Sequence, residues 1–161
     1  MVYDNSNVRR QDRLLSEERA IELLRTAEYG TLSVIDEDGQ PYGIPVNFVW
    51  NRKDSLYIHC APEGRKLRAI AAHPEVCFSI VGNVNLQPSK FTTEYESIVL
   101  KGKAWVGLPA EERMQALVLL VEKLSPDDVE IGKKYAEKSF HRTEIIRIDV
   151  TEFSGKTKKM G

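Results

Sequence analysis

The sequence predicts an α+β fold that is mainly β: six antiparallel strands in a closed or nearly closed barrel, with helices packed over its ends. Three observations predict it. Short stretches alternating apolar and polar side chains recur along the chain, several of them joined by turns rich in Asp, Asn and Gly, and segments of helical periodicity interrupt them. No repeat or low-complexity linker divides the 161 residues. That length suits one domain able to bury a continuous core without disulfides or structural metal.

The first 13 residues are expected as a flexible N-terminal arm. Ser16 is a good helix N-cap, Glu17 and Glu18 favour the positive end of the helix dipole, and Ala20, Ile21, Leu23, Leu24 and Ala27 form an apolar stripe ending before Gly30. Thr31 to Ile35 reads as a strand, Asp36-Glu37-Asp38-Gly39 as a turn, and Tyr42 to Trp50 as the second strand of a hairpin. Asn51 to Asp54 turns the chain into a third strand, Leu56 to Cys60, completing an expected meander. Arg65 to His73 is helical, with Leu67, Ile70 and Ala71 on one face and Pro74 as its stop. Val76 to Val81 follows as a strand, Asn83 to Thr93 as a polar loop, and Tyr95 to Val106 as the longest strand. Pro109 opens a helix to Leu124 whose apolar face is too wide for a free surface. A short helix over Lys133 to Lys138 and a strand over Glu144 to Val150 precede a Lys-rich tail, expected as solvated over residues 157–161.

Composition excludes several function classes. Charged residues make up 29% of the chain and nearly cancel to a formal net charge of −1, which argues against nucleic-acid binding through bulk electrostatics. No window approaches the ~20 apolar residues of a membrane span, and the N-terminus lacks a secretory pattern, so a cytoplasmic location is expected. Cys60 and Cys77 are then expected to be reduced and structural. His59, His73 and His141 are scattered without metal-ligand spacing, so no metal is expected. The absence of G-x-G-x-x-G excludes tight nicotinamide binding through a Rossmann unit.

The most informative segment is LYIHCAPEGRKL, Leu56 to Leu67. An apolar strand runs into a small-residue turn, and Arg65 and Lys66 then meet the first amides of a helix. Such amides point outward unpaired and favour an anion, while Arg offers a planar fork and Lys a mobile point charge suited to a terminal phosphate. A solvated helix start with the same two cations is the alternative reading. Pro45 removes one donor from the second strand and marks an edge or irregular position. His59 suits either proton donation or a structural hydrogen bond.

Three segments, GQPYGIPVNFVW (Gly39 to Trp50), LYIHCAPEGRKL and YESIVLKGKA (Tyr95 to Ala104), resemble in order and spacing the pyridoxamine 5′-phosphate oxidase-like, FMN-binding split-barrel superfamily. The branch most similar is that of the nitroimidazole-resistance (Nim) type flavoproteins. The resemblance spans residues 14–156 and implies a six-stranded split β-barrel of Greek-key type, binding FMN, or FAD, across a homodimer interface. It implies that Arg65 and Lys66 take the cofactor phosphate, that Ile44, Pro45, Val46 and Asn47 present backbone groups to the ring, and that Ile58 and His59 approach the ribityl chain. Ser97 stands where the oxidase branch carries a longer amide contacting the flavin. The C-terminal segment from Ser139 lacks the Arg- and Trp-bearing end of true oxidases, which argues against vitamin B6 oxidation. The expectation is an FMN-dependent oxidoreductase reducing a small electrophile, such as a nitro-aromatic, with electrons from a reduced nicotinamide or another donor. His59 is the one candidate catalytic side chain. A non-catalytic flavin or haem binding, storage or sensing protein is the alternative.

Overall fold

The computed structural model describes residues 1–160. Eight strands lie in one sheet: β1 (Val2–Tyr3), β2 (Tyr29–Ile35), β3 (Pro41–Asn47), β4 (Val49–Trp50), β5 (Ser55–Cys60), β6 (Glu75–Gln87), β7 (Thr92–Trp105) and β8 (Glu144–Lys158). Four α-helices accompany them: α1 (Glu17–Thr26), α2 (Arg65–Ala72), α3 (Ala110–Leu124) and α4 (Val129–Ser139). The hydrogen-bonded order is β3-β2-β6-β7-β8-β5-β4, with β1 added parallel to β8. The two ends of that path, β3 and β4, are consecutive in the chain and meet at Phe48. The barrel is therefore joined by covalent continuity at one bend, while its hydrogen-bond ladder stays open there.

The expected mainly antiparallel split barrel is what the structure shows, with eight strands in place of six. One difference is the predicted Tyr42 to Trp50 strand, which breaks at Phe48 so that its first part pairs with β2 and its last two residues with β5. The expected meander thus runs through two half-strands. The Phe48 side chain is wholly buried, edge-on to Phe78 with ring centroids 5.0 Å apart, and pulls the bend into the core.

A second difference is the Asn83 to Thr93 loop, which is a hairpin: Asn85, Leu86 and Gln87 pair with Glu94, Thr93 and Thr92 after a register shift between Gly82 and Asn85. Its polar composition concealed strands because the pairing projects into solvent, leaving Val84, Leu86 and Phe91 exposed. Likewise β8 runs on to Lys158, so Thr157 and Lys158 of the expected tail lie in a strand paired with β7. The segment before Leu14 does not stand apart: β1 lies along β8, and the Tyr3 hydroxyl donates to the Leu15 carbonyl at 2.6 Å.

The helices follow the predicted caps and stripes. Ser16 Oγ accepts the Arg19 N–H, and Ala20, Leu23 and Leu24 of α1 are buried. The main core fills the barrel interior with Leu32, Phe48, Ile58, Phe78, Ile98 and Leu100. A second cluster, including Val49, Tyr57, Leu117, Leu120, Ala136 and Ile145, packs α3 and α4 on the outer face of β4, β5 and β8. The wide apolar face of α3 is thereby covered within the same chain. Cys60 and Cys77 are both free thiols.

Candidate functional site

The chain leaves β5 at Cys60, turns through Ala61-Pro62-Glu63, and enters α2 from Gly64. Gly64 sits at φ 156°, a conformation that L side chains rarely adopt, and as N-cap it brings no side chain to the first amides of α2. That leaves the positive end of the helix uncapped by any side chain.

The two cations at this helix start are not equivalent. Arg65 Nη2 bonds Asp36 Oδ2 at 3.1 Å, and its guanidinium lies 3.9 Å from the Tyr42 ring centroid. Asp36, buried at the β2–β3 turn, also accepts the Gln40 and Asp38 N–H groups at 2.8 and 3.0 Å. Those amide bonds, the Gln40 one first, together with Arg65 hold its carboxyl below the usual range. Lys66 is half-buried and forms no ion pair among the described residues. Of the predicted phosphate pair, Lys66 carries the uncommitted charge, while Arg65 is shared with an acid from a turn 29 residues away in sequence.

Beside α2 the sheet has two unpaired edges. β3 pairs only with β2, and β5 beyond Tyr57 pairs only with β8. These edges face each other across the seam. On β3, Ile44 and Val46 are half-buried and pack against the core, whereas Pro45 and Asn47 are exposed. Pro45 occupies an edge strand, where its missing N–H costs no ladder bond. Asn47 Nδ2 donates to the Glu28 carbonyl at 3.0 Å. The Ile58 side chain is completely buried in the core, so that residue meets the seam only through its backbone. His59, opposite Ile145, points to the α3–α4 side; burial first, and then nearby Lys66, lowers its pKa, which keeps the imidazole neutral near pH 7.

Ser97 is not brought to this place. It lies on the outer face of β7 between Val81 and Lys156, with β8 separating it from β5 and β2 and β6 separating it from β3.

Sequence reasoning missed Asp36, Tyr42 and Lys123. The Lys123 ammonium donates to the Phe48 carbonyl at 2.8 Å and lies 3.8 Å from the Phe48 ring centroid. Burial pushes its pKa down to about 8. It fastens α3 to the bend that joins β3 to β4. The available signal was its place three residues after Leu120, on the packed side of the helix.

An antiparallel barrel opened along one seam, with an uncapped helix start and a lysine beside the opening, defines a split-barrel protein. Its sequence from residue 16 to 157 matches the family model described as pyridoxamine 5′-phosphate oxidase. The chain belongs to that family. Solved structures agree on the fold. A candidate 5-nitroimidazole antibiotic resistance protein from Bacteroides thetaiotaomicron superposes with a TM-score of 0.76 at 22% identity, over 90% of this chain and 86% of that one. The flavocytochrome Anf3 from Azotobacter vinelandii gives 0.76 at 20% identity, over 90% and 68%. The FAD and haem binding protein from Mycobacterium smegmatis gives 0.68 at 23%, over 90% and 72%. No curated protein matches the chain.

Proposed function

We propose that the protein is an FMN-dependent oxidoreductase, active as a homodimer with the flavin at the interface, that reduces a small electrophile such as a nitro-aromatic using a reduced nicotinamide or another donor. The observation that carries this reading is the seam: two unpaired strand edges converge on a helix start without a side-chain cap, with Lys66 beside it. A phosphate fits that start, where the α2 amides and Lys66 supply donors and Arg65 supplies a second charge partly spent on Asp36. The β3 edge from Ile44 to Asn47 suits the polar rim of a flat ring. Bound flavin would supply the electron transfer, and the protein would bind and orient.

His59 has a defined part. Its lowered pKa keeps it neutral near pH 7, able to hydrogen-bond but seldom holding a transferable second proton. Any step that depends on His59 as an acid therefore accelerates as pH falls through a value below the ordinary ~6.5. A rate limited by His59 as acceptor shows the opposite trend.

The homodimer reading is supported by the outer sheet face. Pro45, Thr31, Ser79, Val99 and Ser154 form one transverse row across five strands, all small and none buried. Ser97 lies on the same outer face.

The experiment is a visible spectrum of the purified protein and an FMN titration, followed by anaerobic NADH or NADPH. Bleaching of the flavin band supports the oxidoreductase. Flavin that binds but resists every donor favours storage or sensing, and no FMN binding overturns the cofactor reading. The Lys66→Ala variant is expected to weaken FMN by at least about tenfold and Arg65→Ala by less. Equal affinity in both variants and the unaltered protein would remove the phosphate assignment.

A further inference from the structure

The packing between the outer face of β5 and the α3–α4 pair stops short at the Cys60 end, leaving a cavity of ≈ 510 Å³. Its size is that of a small-molecule site. Leu117, Leu120 and Leu124 of α3 and Tyr135 and Ala136 of α4 give it apolar walls. The helices come close because Gly132 has no side chain: a Cβ there would lie 2.4 Å from Val121 Cγ1. Leu124 and Tyr135 stay substantially exposed, so the cavity opens to solvent.

Among the described residues, Arg142 is the one permanently charged side chain lining it. It is exposed, and among the described residues it forms no ion pair. His59 lines another part, with Lys66 near enough to depress its pKa. The hydroxyls of Ser139 and Thr143 are spent, donating to the Tyr135 and Ser139 carbonyls at 2.8 and 2.9 Å. No carboxylate lines the cavity. Glu144, beside Cys60, is engaged by Arg113 at 3.6 Å and accepts the Ile145 N–H at 2.8 Å.

We propose that this cavity binds a small organic monoanion, its carboxylate on Arg142 and an aromatic or branched-alkyl body between α3 and α4. A guanidinium fork pairs a carboxylate through two parallel bonds. The apolar walls reward an aromatic or branched-alkyl body. The site goes beyond the flavin reading and borders the proposed flavin site at His59, Cys60 and Ala61.

The test is calorimetric titration of the full chain, with and without FMN, using 3-phenylpropionate and its neutral counterpart 3-phenylpropan-1-ol. The acid is expected to bind at least about tenfold tighter than the alcohol. Arg142→Gln, a surface change, abolishes that preference, while Arg65→Ala with Lys66→Ala leaves it intact. Equal affinity for acid and alcohol overturns the proposal. So does acid binding that survives Arg142→Gln but is lost in the double variant, which would place the anion at the α2 start. Absence of acid binding together with slow amide exchange at Tyr135 would show a protein surface covering the mouth, and also overturns it. FMN titration judges the flavin reading separately in every case.

Discussion

Strand β7 and the seam strands β3 and β4 are built from similar apolar alternation, yet they are held very differently. β7 pairs along nearly its whole length with β6 on one side and β8 on the other. β3 has one partner, and β4 is two residues long. In the fully paired half the backbone donors and acceptors are satisfied by neighbouring strands. The seam leaves such groups open beside α2, where the proposed cofactor site lies. What stabilises the seam is side-chain packing at Phe48 and the Lys123 bond to its carbonyl.

The most severe way to break this contrast is Phe48→Ala. It empties a fully buried aromatic site at the one point where the chain joins the two ends of the sheet. A loss of about 3–5 kcal/mol is expected in urea unfolding. A loss under about 1 kcal/mol would mean that the bend is held by backbone bonding instead.

The paired half has its own anchor. Glu96 on β7 is enclosed, takes two bonds from Arg19 of α1 at 2.8 and 3.2 Å, and accepts from Asn83 Nδ2 at 2.7 Å. Arg19 first, with Asn83 assisting, lowers the Glu96 pKa against the opposing effect of burial. A depressed carboxyl contributes stability that is present above its unfolded pKa of ~4.5 and lost as pH falls through the lower folded value. Glu96→Gln is expected to cost roughly 2 kcal/mol at pH 7, below the ~3–5 of a fully buried pair because Arg19 is partly solvated. The difference from the unaltered protein shrinks on acidification. A difference independent of pH between 7 and the acid limb would remove the ion pair as its cause.

This contrast also marks what the sequence could disclose. Elements with a strong local signature were legible: the Ser16 cap with its stripe, the Pro109 start of α3, the Gly64-Arg65-Lys66 helix entry. The break at Phe48 was not, because apolar residues on both sides of Asn47 read as one strand and the bend is imposed by the core around Phe78. The hairpin beyond Val81 was hidden for the opposite reason, since pairing in solvent asks for no apolar face. At the site, position in the chain brought Arg65 and Lys66 together as equals. Only the fold brings Asp36 onto one of them, and only the pairing order sets Ser97 apart.

The smallest expected effect concerns Lys123. Burial lowers its pKa from 10.5 to about 8, so the folded state disfavours the charged amine. Below about pH 8 the lysine is protonated in both states, and its desolvation cost is present in full. Between that value and 10.5 the unfolded chain binds more protons than the folded one, so stability rises with pH by linkage; above that range the contribution is flat. A neutral amine still donates to the Phe48 carbonyl, so the bond at the bend survives deprotonation. Lys123→Met removes both the penalty and the bond. Stability of the unaltered protein relative to Lys123→Met should therefore climb by about 1–2 kcal/mol across that interval in urea unfolding series. A constant difference would mean that water reaches Lys123, and that the seam is less tightly covered by α3 than the geometry around Phe48 requires.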